Sequence, residues 1–391
     1  MYHKNFKPRY SRGNNRPQNR RKIKSFDPTY TITNGHVDPV EKITEQKIRH
    51  KFSDFAVSDQ LKRNIAYRGF TTPTPIQDQA IPQILGGKDL VGIANTGTGK
   101  TAAFLIPLID KVLNKPKTRV LILAPTRELV VQIEKDLTKL SHNLKIYSVI
   151  LIGGVSIHGQ IKRLAANPNF VIATPGRLLD LENQKKINLH SFDTIILDEV
   201  DRMLDMGFIG DVEKIISKLP NERQSLFFSA TLEENIKNIM TKFTKNPVTL
   251  KVQSQKTKLN IHEDIVKING QSKTHVLENI LDQNEVSKAL VFMRTKRSAD
   301  NLNRILSKSG FQTAVLHGNR TQNQRQRSLN EFSRGKVNVL IATDVASRGI
   351  DVRGISHVIN YDLPESHEVY IHRIGRTGRA NKKGVALTFI A

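Results

Sequence analysis

The sequence predicts an α/β fold, two tandem doubly wound parallel-sheet domains joined by a short linker, and three observations lead there. Short runs of Val, Ile and Leu recur from about residue 50 onward. Amphipathic, helix-like segments separate them, the alternation that builds parallel sheets covered on both faces. The runs form two sets, divided by the polar, basic and non-periodic stretch Lys251–Asn260. A chain of 391 residues is also longer than one hydrophobic core usually serves.

The first set comprises Leu90–Ile93, Val120–Leu123, Phe170–Ile172, Thr194–Leu197 and Ser225–Phe228, and the second Ala289–Met293, Gln312–Leu316, Val337–Ile341, His357–Asn360 and Gly384–Ile390. The division is therefore a tail over 1–49, a first domain over 50–250, a linker over 251–260 and a second domain over 261–391. Residues 1–24 carry nine cations, Lys4 to Lys24, and no acid. Such a segment buries too little apolar surface to offset its ordering entropy, so a disordered tail is expected up to about residue 50. An RNA-binding arm, a solubilising tail and an organelle transit peptide all fit it.

The net charge of +25 points to a polyanionic partner. With no cysteine, disulfides, cysteine zinc sites and cysteine nucleophiles are excluded. No apolar run approaches the roughly 18 residues of a membrane span, and the N-terminus has no apolar core of the kind a secretion signal requires. An intracellular, cytoplasmic and soluble protein without membrane partners is expected, and a monomer.

Ala94-Asn95-Thr96-Gly97-Thr98-Gly99-Lys100-Thr101 follows one strand-like run and opens a helix-like one. That is the setting of a phosphate-binding loop, where glycines turn backbone N–H groups onto phosphates and the helix N-terminus adds positive potential. Lys100 then reaches the β- and γ-phosphates of ATP and the Thr101 hydroxyl ligates Mg²⁺. Ala94 stands where the strict pattern has glycine. Asp198-Glu199-Val200-Asp201 ends another strand-like run, at the edge where α/β sheets bind ligands. Asp198 can hold Mg²⁺ and Glu199 can orient or deprotonate the attacking water; an acidic helix cap is the other reading.

Asp-Glu-Val-Asp resembles the signature of the DEAD-box ATP-dependent RNA helicases, a superfamily 2 group, and further motifs stand in that family's order. Gly69-Phe70-Thr71-Thr72-Pro73-Thr74-Pro75-Ile76-Gln77 resembles its Q motif. The resemblance implies two RecA-like domains, with Gln77 reading the adenine edge, Phe70 stacking on its ring and Phe52 as the upstream aromatic. Pro125, Thr126 and Arg127, Gly153 and Gly154, and Thr174, Pro175, Gly176 and Arg177 resemble the RNA-backbone motifs. Ser229-Ala230-Thr231 resembles the motif that couples hydrolysis to strand separation, its hydroxyls reaching Asp201. In the second domain Gln322 and Arg325 match a Gln-x-x-Arg element, which implies Arg325 on RNA. Thr343 faces RNA and Asp351 the ribose in a motif V, while His372, Arg376 and Arg379 belong to a motif VI whose arginines are fingers toward the γ-phosphate.

This implies an RNA-stimulated ATPase that binds single-stranded RNA and opens short duplexes. An ATP-gated clamp with little unwinding uses the same motifs, as does a DNA-directed relative. Three departures stand out: Val200 for the usual Ala, Asn95 where Gln or Glu is commoner, and a chain that stops at Ala391, before the last helix and strand of such a domain. A trimmed second domain with an exposed apolar patch around Phe389 is expected.

Overall fold

The computed structural model describes residues 25–29, 32, 48–95, 97–231, 234–252, 261–347, 352, 354–378 and 383–390. The first sheet has seven parallel strands: β1 (Leu90–Ile93), β2 (Val120–Leu123), β3 (Ser148–Leu151), β4 (Phe170–Ala173), β5 (Thr194–Asp198), β6 (Gln224–Ser229) and β7 (Val248–Lys251). Their order is β3-β4-β2-β5-β6-β1-β7. Among the described residues nine α-helices surround it: α1 (Asp59–Tyr67), α2 (Pro75–Leu85), α3 (Lys100–Asn114), α4 (Arg127–Leu140), α5 (Ile157–Leu164), α6 (Pro175–Asn183), α7 (Val200–Asp205), α8 (Ile209–Ser217) and α9 (Glu234–Phe243).

Successive strand residues point to opposite faces, and both faces are buried. On β2, Val120 and Ile122 join one core with Phe104 of α3 and Ile133 of α4. Leu121 and Leu123 join the other, with Leu178 of α6, Ile215 of α8 and Ile239 of α9. That two-sided burial is why the run reads as continuously apolar.

The second sheet has six parallel strands: β8 (Ile261–Lys267), β9 (Ala289–Met293), β10 (Thr313–Leu316), β11 (Val339–Thr343), β12 (His357–Asn360) and β13 (Gly384–Ile390), in the order β10-β11-β9-β12-β13-β8. Its helices are α10 (Lys273–Leu281), α11 (Lys296–Lys308), α12 (Gln322–Ser333), α13 (Asp344–Ser347) and α14 (His367–Ile374).

Three strands, β3, β7 and β8, were not anticipated, and β8 corrects the expectation about the C-terminal strand. It pairs with β13 residue for residue, from Ile261 beside Gly384 to Lys267 beside Ile390, so β13 is internal. Phe389, expected in an exposed patch, is 1% exposed: it packs among Leu277 and Leu281 of α10, its ring 5.5 Å from that of Tyr361. Ala386, on the other face, packs with Tyr370 and Ile374 of α14. His262, Glu263 and Asp264 break the apolar run of β8 and hid it, as an edge strand tolerates where an internal one does not.

The tail, read as reaching residue 49, is described at residues 25–29, 32, 48 and 49. The Phe26 backbone N–H donates to the Pro364 carbonyl at 2.7 Å, and Phe26 and Ile32 pack beside Tyr370. Residues 1–24 and 253–260 lie outside the described residues.

Candidate nucleotide and RNA site

Strand order sorts the candidate residues. Loops after β1, β5 and β6, adjacent in the sheet, carry Gly97 to Thr101, Asp198 to Asp201 and Ser229 to Thr231. Loops after β2, β3 and β4, adjacent in the other half, carry Pro125 to Arg127, Gly153 and Gly154, and Thr174 to Arg177. All leave the C-terminal edge of one parallel sheet, where such sheets bind ligands.

In the first group the phosphate-loop backbone turns through left-handed glycines, Gly97 at φ 82° and Gly99 at φ 94°. Gly99 is required twice over: a Cβ there would lie 2.4 Å from Gln77 Nε2. Gln77 is buried, accepts the Thr74 N–H at 2.9 Å in a capping box and donates to the Gly99 carbonyl at 3.1 Å. Its amide thus braces the phosphate loop in this structure. Phe70 is half-buried and stacks on Phe52, 5.7 Å away, with the Arg68 guanidinium over its ring. Phe52 is buried behind it, edge-on to Phe55, and backs Phe70 instead of offering a free face.

Lys100 opens α3 with its side chain buried, and its Nζ has no hydrogen-bond partner. Asp198 Oδ1 is likewise buried without one. Burial pushes the Asp198 carboxyl up to about 7, with Lys100 opposing and Glu199 adding to the shift. Two opposite charges left short of partners in one dry site are what a phosphate with its metal ion would satisfy. Glu199 caps α7 in the left-handed region at φ 55°, costly for a residue with a side chain. Burial alone would raise its carboxyl, but Arg202, Lys100 and Arg376 hold it below the usual range. Arg202 Nη1 lies 2.5 Å from Glu199 Oε2, one helical turn on. Sequence reading passed over this arginine, although the i, i+3 spacing after Glu199 was visible.

Asp201 Oδ2 accepts the Ala230 backbone N–H at 2.9 Å. The expected contacts from the Ser229 and Thr231 hydroxyls are not made: Ser229 Oγ accepts the Thr231 N–H, and Thr231 Oγ1 is buried without a partner. An amide already points down from the strand end, and this shorter reach takes the carboxylate. Thr98 is half-buried, its hydroxyl on the Asn95 carbonyl, and Thr101 is half-buried in the first turn of α3.

In the second group Arg127 lies flat on the Gly153–Gly154 backbone; a Cβ at Gly154 would come within 2.2 Å of its Nη1. Thr126 caps α4 by accepting the Leu129 N–H, and Pro125 is buried before it. Thr174 and Pro175 begin α6, Gly176 is exposed, and Arg177 donates to the Val155 carbonyl at 3.4 Å and pairs with Asp180. Burial and the nearby Arg325 and Arg177 lower the Arg127 guanidinium, and Glu128 opposes them. Three arginines therefore gather here, and Glu128 stands beside Arg127 and Arg325.

That acid joins the two domains. Glu128 Oε1 accepts from Arg325 Nε at 2.8 Å and from Gln322 Nε2 at 3.3 Å, and all three side chains are nearly buried. Arg325, expected on RNA, is here on an ion pair. The sequence assigns Glu128 no role, because no local pattern shows that a residue of α4 meets one of α12.

Motif VI divides in the same way. Arg373 is spent inside the second domain, bidentate to Asp344 and donating to Asn360 and the Asp362 carbonyl. Arg376, one turn on, is buried within electrostatic reach of Glu199, across from its own domain. His372 is exposed on α14, and Thr343 ends β11 buried. Thr96, Asp351 and Arg379 lie outside the described residues.

Known proteins fit this arrangement. The family model described as DEAD/DEAH box helicase matches residues 74–239, and that of the helicase conserved C-terminal domain matches 272–381. The ATP-dependent RNA helicase CshA of Listeria monocytogenes is 45% identical over 342 residues, 87% of this chain and 66% of that protein. The Bacillus subtilis DEAD-box ATP-dependent RNA helicase CshA is 44% identical over 341 residues and spanned to 69% of its length. Among solved structures, S. cerevisiae Dbp5 bound to RNA and ADP BeF3 superimposes with a TM-score of 0.75 at 30% identity, over 88% of this chain and 90% of that one. A Methanococcus jannaschii DEAD box protein, 41% identical over 87% of this chain and 93% of that one, gives 0.51. Among the described residues no helix is long and apolar enough to cross a membrane. With both family models matched in order and relatives 44–45% identical over 87% of its length, the chain belongs to the DEAD-box family of ATP-dependent RNA helicases.

Proposed function

We propose that this chain binds ATP and single-stranded RNA between its two domains and uses hydrolysis to release RNA from a grip that a regular duplex cannot fit. The observation that carries the reading is the unpartnered, buried Lys100 Nζ facing the Asp198–Glu199 pair, with Arg376 approaching from the other domain. Lys100 and the loop amides hold the phosphates. Mg²⁺, held by Thr101 and Asp198, neutralises charge on the phosphates when bound; one carboxylate, one hydroxyl and water suit that ion. Glu199, kept ionised and aimed by Arg202, takes the proton of the attacking water. Arg376, with Arg379, stabilises charge developing on the transferred phosphate. Gln77 and Phe70, backed by Phe52, face the adenine, and Asp351 the ribose.

Arg127, Arg177, Thr126, Thr174 and the Gly153–Gly154 backbone hold RNA phosphates and 2′-OH groups without reading bases, and Thr343 and Arg325 extend that track. Support comes from strand order, which keeps these residues away from the phosphate loop, and from the RNA-bound yeast relative. Asp201, Ser229, Thr231 and His372 link the two ends. The same reading keeps the domain limits at 50–250 and 261–391 and makes the chain a cytoplasmic monomer. ATPase turnover measured with single-stranded RNA, single-stranded DNA and neither, beside displacement of a short RNA duplex, tests it. Stimulation by RNA alone with ATP-dependent displacement is expected. Equal stimulation by DNA overturns the substrate, and stimulation without displacement makes the chain a clamp.

A further inference from the structure

Phe26 and its neighbours form a built contact in a stretch whose composition predicts none. Asp27 caps a single turn: its carboxylate accepts the Thr29 N–H at 2.9 Å and the Thr29 hydroxyl at 2.5 Å. Pro28 follows at the position where its fixed φ favours a helical turn, and the Ile32 N–H returns to the Pro28 carbonyl at 2.9 Å. The turn therefore shapes itself before it meets anything, which lowers the entropy lost on docking.

What it meets is the outer face of α14. The Phe26 ring stands edge-on to His367 at 5.3 Å and 6.2 Å from Tyr370. Its N–H is taken by the Pro364 carbonyl, and Pro28 is buried. Ile32, one turn on, packs with Ile371 and Ile261 against the same cluster. Tyr370 is fixed from behind by its hydroxyl on Glu263, so the receptor is rigid. Two apolar anchors, a backbone hydrogen bond and a capped turn make up a short-peptide recognition mode, here filled by the chain itself.

We propose that the face of the second domain formed by Pro364, His367, Tyr370 and Ile371 is a receptor for this chain's own Phe26–Ile32 turn, which anchors the basic stretch 4–24 beside the second domain. Lys24 stands two residues before the anchor, so the nine cations are delivered to that domain although the covalent chain continues into the first. Nothing in this depends on ATP chemistry.

The test uses the full chain with Phe26→Ala, which vacates the receptor, and a fluorescent peptide of residues 22–33. Anisotropy should show saturable binding to the Phe26→Ala chain. Binding to the wild-type chain should be at least tenfold weaker, because the tethered copy competes at high effective concentration. A peptide carrying Phe26→Ala should bind about tenfold weaker than the native peptide, the scale of a half-buried phenylalanine. His367→Ala, added to the Phe26→Ala chain, should weaken binding too. A photo-crosslinking residue in place of Arg21 should capture the second domain in the otherwise native chain and lose that capture with Phe26→Ala. Absence of saturable binding, equal binding of the two peptides, equal binding to the two chains, or capture of the first domain overturns the proposal.

Discussion

Removing Glu128 should uncouple ATP from RNA without unfolding either domain. Its carboxylate takes Arg325 Nε at 2.8 Å and Gln322 Nε2 at 3.3 Å across the domain boundary, and its side chain is 6% exposed against 11% for Arg325. Glu128→Ala leaves a guanidinium with little water and with Arg127 repelling it. Breaking a buried pair from one side costs about 3–5 kcal/mol. Residual exposure argues for the lower end, so about 3 kcal/mol should fall on the arrangement in which the domains meet. Ligands that bind that arrangement lose affinity by the same amount, on the order of 100-fold. The assay is the RNA concentration for half-maximal ATPase, measured beside ATP affinity without RNA. Half-saturation should rise steeply, intrinsic ATP affinity should hold, and thermal unfolding should move little. A double-mutant cycle with Arg325→Ala divides the roles: if Arg325 serves only the pair, the double variant is no worse than either single one. If Arg325 also holds RNA, its own loss costs more. An unchanged half-saturation in Glu128→Ala would falsify the account of the domain contact.

Glu199→Gln should keep ATP and RNA binding and lose turnover by several hundred-fold or more, whereas Lys100→Ala should weaken nucleotide binding itself; isothermal titration beside steady-state rates separates them. Asp198 binds its proton more tightly folded than unfolded, so the nucleotide-free protein should lose stability as pH rises from about 4 toward about 7 and stay level above. Thermal melts should then show Asp198→Asn gaining on the native protein more at pH 8 than at pH 5.5. Val200 is fully buried against Met203 and the β5–β6 core, so Val200→Ala should cost about 2 kcal/mol of stability and leave turnover within a few-fold; a large rate gain would mean that valine displaces the acidic pair. Deleting residues 1–24 should flatten the salt dependence of RNA affinity with turnover at saturating RNA unchanged, and an equal slope would remove the tail from the RNA contacts.

Much of this was legible because local patterns determined it. Buried parallel strands such as β2 and β9 are apolar on both faces and announce themselves, and Gly99-Lys100-Thr101 needs only its strand and helix to be read. What stayed hidden depends on distant partners. β8 became a strand because β13 offered an open edge. Gln77 also braces the phosphate loop, its amide bonded to Thr74 and to the Gly99 carbonyl 22 residues away, a contact no local pattern shows. Arg373 and Arg376 look equivalent in a run of basic residues, yet Asp344 claims the first and leaves the second for the cleft. Phe26 sits among residues whose composition argues against order, and only the capped Asp27-Pro28-Thr29 turn hints otherwise.

The order of strands in the first sheet has a geometric consequence. Neighbouring strands stand about 4.8 Å apart, so the four steps from β1 to β4 put the phosphate loop and Arg177 about 19 Å from each other. No single small ligand can touch both, and the sheet between them is too tightly packed to carry a graded displacement. A second body laid along the row can touch both at once, with Arg376 at one end and Arg325 at the other. The first domain alone is thus a ruler with two separate marks. It becomes a comparator only when the second domain is laid against it, and occupancy of either mark is then read as a bias on how the two bodies meet.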